Sequence, residues 1–339
     1  MTTKIKLYLL LSMFAAVQCL LIVYAHTAGT GYLGMSLPAG FVAFSGTSPW
    51  NTPLPANPTI DPNSSSMIST LTKKINTING NFVKWTVPLF VIDSQAAPKV
   101  TVTGSGPFDP AVDPNGTGIA TGIPIPVGVW PDPSTDGHML LVDPVAKKSW
   151  DFSRAQLTAT GWVASTIAVW DLTGPGYRTA FTGNYWWKYG SRGSGFPLIA
   201  GLIRPEEIAA GVINHALIFA GPINRLGLTS GGKTQLCSPS ASRTDGTMYG
   251  SQYLLEGARL QLDPALNLDT LNLSPATKII AKAMQKYGMF NGDNASDISI
   301  YFENLGADGG AWKNYNFFSD LSKIPVGKFR VISCNVIQK

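Results

Sequence analysis

The chain has 339 residues, 45% hydrophobic and only 13% charged, with 35 Gly, 24 Pro and a formal net charge of +5. That length can bury one large or two modest cores, and the low charge with many short apolar runs points to a β-rich extracellular protein rather than a cytosolic α/β enzyme. No clustered basic helix or stripe is present, which argues against a nucleic-acid partner.

Residues 1–25 read as a secretory signal, with Lys4 and Lys6 as the basic start, residues 7–21 as the apolar core, and a cleavage point after Ala25. The apolar run is shorter than the ~20 residues that span a bilayer, so no stable membrane anchor is expected after cleavage. Losing Lys4 and Lys6 lowers the charge to about +3. Cleavage after Ala25 would leave His26 at the start of the mature chain, where its amine and ring could chelate copper. No pair of His or Cys shows metal-ligand spacing, and no metal or cofactor is expected. The two remaining cysteines, Cys237 and Cys334, are expected to form one disulfide in an oxidising compartment.

Residues 26–60 form an extended leader, whose Pro49, Pro53 and Pro55 forbid a central strand and favour a segment laid over the surface. A single β-rich globular domain is expected over residues 61–339. It opens with Asp61 and Pro62 as cap and first position of a helix, with Met67, Ile68, Leu71 and Ile75 on one face and an end near Asn79 and Gly80. Residues 83–92 and 100–103 are β-branched strands. Residues 104–133 are rich in Gly, Pro and Asp and read as a long ordered loop or short strands joined by turns. Residues 137–143 form a strand with His138, Leu140 and Val142 on one face and Met139, Leu141 and Asp143 on the other, and residues 149–152 return to make a hairpin.

A further strand covers residues 162–172, followed by the aromatic run from Tyr185 to Tyr189. Residues 190–222 hold a glycine-rich run, a short helix from Arg204 to Gly211 with Glu206 and Glu207 in its first turn, and a strand carrying His215. Negative charge is favoured at a helix start, so capping explains both glutamates. The chain is then polar to Gly250. Ser274 and Pro275 begin the clearest helix, with Ile279, Ile280, Ala283, Met284 and Tyr287 at helical spacing and Gly288 as its stop. Residues 298–302 and 328–336 are the last strands. The whole reads as mainly β, a β-sandwich or jelly-roll-like core with two or three short helices.

The segments Ser48, Pro49, Trp50, Asn51, Thr52, Pro53; Asp136, Gly137, His138, Met139 with Asp143; residues 195–205 with His215; and Tyr287, Gly288, Met289 with Asp293 and Asn294 resemble an uncharacterised family of secreted, mostly bacterial proteins. The resemblance implies one secreted β-rich unit and carries no activity.

Four residues are candidates for proton transfer: His138 and His215 as bases near neutral pH, Asp136 as the carboxylate partner of His138, and Tyr185 as an acid. Against this, each histidine could be a packed core residue and Asp136 a turn residue. Trp186, Trp187, Lys188 and Arg192 combine flat aromatic faces with cations, suited to sugars and their acidic groups, or to a core covered on both sides. The expected role is a secreted carbohydrate-active protein, an enzyme cleaving polysaccharide by a lyase or hydrolase route. The alternative is a non-catalytic protein that binds cell-surface glycan or assembles with itself. Oligomeric state stays open, and hydrolysis would need a carboxylate pair that no motif supplies.

Overall fold

The computed structural model describes residues 31–38, 40–106, 108–178, 190–226, 235–238 and 241–338. The protein is mainly β, with 19 strands among the described residues and four short helices: α1 (Ser64–Lys74), α2 (Pro205–Ala209), α3 (Pro275–Lys286) and α4 (Phe317–Leu321). Three larger sheets are stacked. The five-stranded sheet runs Tyr32–Gly34, Leu89–Ile92, Met139–Asp143, Lys148–Ser153, Thr166–Asp171. The six-stranded sheet runs Phe329–Ile332, Arg259–Leu262, Met289–Asn294, Leu217–Gly221, Ile298–Tyr301, Ile78–Asn81. A four-stranded sheet contains Ile119–Pro124, Lys99–Thr103, Gly161–Val163 and Gln156–Thr158.

The side-chain alternation along each strand explains the stacking. Leu89 and Val91 with Leu140 and Val142 enter one core, where they meet Ile218, Ala220, Phe290 and Tyr301 of the six-stranded sheet. Their neighbours Phe90, Ile92, Met139 and Leu141 point the opposite way, into the core shared with the four-stranded sheet. Leu217, Phe219, Ile298 and Ile300 turn from the central core to one built with Met67, Leu71, Ile280 and Met284 of α1 and α3. The central strands are thus covered on both faces, and they read as unbroken apolar runs. Leu89–Ile92 pairs with Met139–Asp143 in parallel, as does Leu217–Gly221 with Met289–Asn294.

Helix α3 begins as expected: the Ser274 hydroxyl accepts the Thr277 N–H, Pro275 follows, and Gly288 ends it at φ 71°. Helix α1 is shorter than the periodicity suggests. It stops at Lys74 because residues 78–81 are drawn out as an edge strand paired in parallel with Ile298–Tyr301. The expected strand over residues 83–92 narrows to Leu89–Ile92, and that over 162–172 divides into Gly161–Val163 and Thr166–Asp171, which serve different sheets. Trp50 is not laid over the surface. Its ring sits in the central core against Phe196 and Phe290, and its Nε1 donates to the Gly176 carbonyl at 2.9 Å.

Cys237, within the strand Gln235–Ser238, and Cys334, just before its partner Asn335–Gln338, are bonded with Cα atoms 5.5 Å apart. Among the described residues no helix is long and apolar enough to cross a membrane.

Candidate functional site

Two cavities contain the chemistry-bearing residues. The larger, about 680 Å³, lies where the five-stranded and six-stranded sheets meet, and is lined from one side by Asp136, His138 and Arg154 and from the other by Arg243, Asp245, Asp293 and Tyr301. The smaller, about 290 Å³, is lined by Phe41, Trp50, Ile199, Glu206, Glu207 and His215. The two histidines therefore do not share one site. His138 precedes the strand Met139–Asp143 and His215 precedes Leu217–Gly221; neither lies within a strand, and the two strands belong to different sheets.

His138 is buried, with Nε2 2.9 Å from the Ser191 carbonyl, so that nitrogen carries the proton. Burial, reinforced by the Arg192 guanidinium, pushes its pKa down to about 3. The ring is neutral over the ordinary pH range and braces the glycine-rich run. Arg192, expected at a binding surface, is instead 0% exposed, stacked 4.0 Å over the Tyr301 ring and donating to the Leu198 carbonyl. Tyr185, Trp186, Trp187 and Lys188 lie outside the described residues.

His215 has both ring nitrogens facing acceptors: Nδ1 is 2.9 Å from the Ala216 carbonyl and Nε2 2.8 Å from Glu207 Oε1. The same Glu207 oxygen accepts Arg204 Nη2 at 2.7 Å, while its Oε2 accepts the Arg204 backbone N–H at 3.0 Å. Glu207 thus caps α2 as its position implies. Although burial opposes ionisation, His215 and Arg204 together hold its carboxyl down at about 2.

Of the residues that sequence reading missed, Asp245 and Asp293 line the larger cavity and Glu256 is buried beside them. Asp245, Glu256 and Asp293 each offer a carboxylate oxygen, and these oxygens lie within 4.8 Å of one another. A bulge places Asp293: the parallel ladder skips Gly292, so that Phe219 pairs with Asn291 and Ala220 with Asp293. The Gly193 N–H donates to Asp293 Oδ1 at 3.2 Å. A Cβ at Gly193 would stand 2.5 Å from Asp245 Oδ1, so a side chain there would displace that carboxylate. Glu256 Oε2 accepts the Asp245 backbone N–H at 3.0 Å, and Asn294 Nδ2 donates to Asp245 Oδ1 at 2.7 Å. Arg243 reaches under the cluster, its Nε donating to the Arg192 and Gly193 carbonyls.

Burial and then the neighbouring Asp245 charge raise Asp293 to about 7 and push Glu256 well above the ordinary carboxylate range. Asp136 is half-buried on the facing wall, where burial and then Asp132 raise it too. The cavity therefore gathers proton-handling carboxyls and an all-oxygen donor set, the kind that suits a hard cation. At its edge Trp85 is 47% exposed and held at φ 59°, an uncommon backbone state for a bulky residue. The only sequence signals for this site were the turn dipeptide Asp245-Gly246 and the pair Asp293-Asn294.

No family model, curated protein or solved structure significantly matches the chain.

Proposed function

We propose that the protein is a secreted carbohydrate-active enzyme that hydrolyses a polysaccharide in the larger cavity. The observation that carries this reading is the exposed Trp85 ring at the rim of a cavity lined by carboxylates, Arg154, Asn81 and serines. A flat apolar face beside dense hydrogen-bonding groups is what a sugar ring presents in complement. Asp136 on one wall and a cavity carboxylate facing it supply the two-carboxyl chemistry of glycoside hydrolysis: Asp136 passes a proton to the leaving oxygen as the glycosidic bond breaks, and the facing carboxylate takes a proton from the water that attacks the anomeric carbon.

The hydrolytic form is favoured over the lyase form. Asp136, Asp245, Asp293 and Asp297 outnumber Arg154 and Arg243 along the lining, and such a wall with no metal ion bound is a poor match for a uronate polymer. Arg192, which a lyase would need at the surface to neutralise a uronate, is sealed beneath. The disulfide accords with an oxidising compartment.

The test is a panel of neutral and uronic-acid polysaccharides assayed for new reducing ends and for unsaturated products, with Asp136→Asn alongside. Reducing ends released from a neutral polymer by the wild type and lost in the variant support the reading. Binding without turnover would reduce the protein to a glycan-binding module, and no binding to any polymer would overturn the proposal.

A further inference from the structure

We propose that Asp245, Glu256 and Asp293 form a binding site for a hard divalent cation of the calcium or magnesium class, reached from the larger cavity that Asp245 and Asp293 line. Cation binding goes beyond the glycan reading and stands without it.

Two observations carry the site. The first is the spacing. Oxygens that share one calcium ion lie about 2.3 to 2.6 Å from it, so they are at most about 5 Å from one another. The three carboxylates meet that limit, with their oxygens within 4.8 Å. The second is an orphan oxygen. Glu256 is 0% exposed, and while its Oε2 accepts the Asp245 N–H, its Oε1 has no hydrogen-bond partner among the described residues. A buried carboxylate oxygen left bare costs free energy that a bound cation returns.

The surroundings suit the same ligand. Each acid is oriented through one oxygen by a nitrogen donor: Asp245 by Asn294 Nδ2, Glu256 by the Asp245 N–H, and Asp293 by the Gly193 N–H. Such outer contacts fix ligands before the ion arrives. The donor set contains no sulfur or imidazole, which disfavours zinc and copper. The charges that face the cluster are Asp136 on one side and Arg192 and Arg243 on the other. The three acids and Asp136 outnumber the two guanidinium groups, and a doubly charged ion among them would favour their ionised forms over the protonated forms that burial favours. Asp245 is exposed and Glu256 buried, so an ion would sit at the cavity floor with one side open to water or to sugar hydroxyls.

The experiment is calorimetric titration of calcium chloride, and separately magnesium chloride, into the full protein dialysed against a chelator, with no glycan present. We expect saturable binding of one ion per chain and a rise in melting temperature with that ion. Glu256→Gln should weaken binding at least about tenfold. Because a buried variant can fail to fold, Asp245→Asn, at the exposed ligand, is measured in parallel and should weaken binding similarly. Absence of both heat and thermal shift with either metal at about 10 mM, on the scale of weak extracellular calcium sites, overturns the site, as does unchanged affinity in Asp245→Asn. The polysaccharide panel can fail without touching this result, and this titration can fail without touching the panel.

Discussion

Replacing Glu207 with glutamine separates a structural role for His215 from a catalytic one. Glu207 binds three donors with two oxygens: His215 Nε2 and Arg204 Nη2 on Oε1, and the Arg204 N–H on Oε2. Glutamine has one oxygen, so its amide NH₂ must face a donor whichever way it turns. A carboxyl moved from 4.5 to about 2 is stabilised by roughly 3 kcal/mol at neutral pH, at about 1.4 kcal/mol per tenfold change in proton affinity. The sign follows from the lowered pKa. The stabilisation is fully present above the unfolded value of about 4.5 and disappears as pH falls through about 2. Urea unfolding at pH 7 should therefore place Glu207→Gln about 3 kcal/mol below the wild type, in the range seen when one partner of a buried pair is removed. The gap should narrow steadily as the pH is lowered from about 4.5. A gap under about 1 kcal/mol at pH 7, or one that does not change with pH, would refute the assignment of Glu207 and His215 as a strut between α2 and the strand Leu217–Gly221.

Asp151 behaves in the opposite sense. It is buried on the inner face of the five-stranded sheet, accepts the Leu198 N–H at 2.6 Å, and is raised by burial to about 7. Its contribution is intact below about 4 and is lost as pH rises through about 7, so Asp151→Asn should gain up to about 4 kcal/mol over the wild type at pH 8 and little at pH 4, read by unfolding at the two values. Gly193→Ala sets a Cβ 2.5 Å from Asp245 Oδ1 and should abolish turnover in the polysaccharide assay with under about 2 kcal/mol lost in stability. Trp85→Gly removes the aromatic face while relieving a backbone held at φ 59°; glycan affinity should fall by about 1 kcal/mol or more in titration calorimetry with melting temperature unchanged or higher. Replacing Cys237 and Cys334 with serine releases a closure spanning 97 residues and should cost about 4 to 5 kcal/mol in urea unfolding.

The parts of this molecule that were legible in the sequence are those set by neighbours along the chain. The run Leu89–Ile92 declares itself by apolar β-branched content, Met139–Asp143 by its apolar run and alternating faces, and α3 by its serine cap, proline and closing glycine. Local pattern also places Glu207 at a helix start, but it is silent about His215 reaching back to the same carboxylate. The carboxylate cluster was not legible, because nothing local marks it. Asp245 sits in a turn dipeptide, Glu256 beside a short strand and Asp293 on a bulge, and each has an ordinary structural explanation where it stands. They converge because Gly292 shifts the register by one residue and because the glycine-rich run passes under Asp245 where a side chain would collide. His138 and His215 illustrate the converse error. Their flanking residues are alike, yet the strands that follow them enter different sheets, so equal local patterns lead to separate cavities. The glycine-rich segment proves central through its backbone rather than its side chains. Its N–H groups and carbonyls hold Asp293, Arg243 and His138, and a substitution there should act on the cavity floor before it acts on the core.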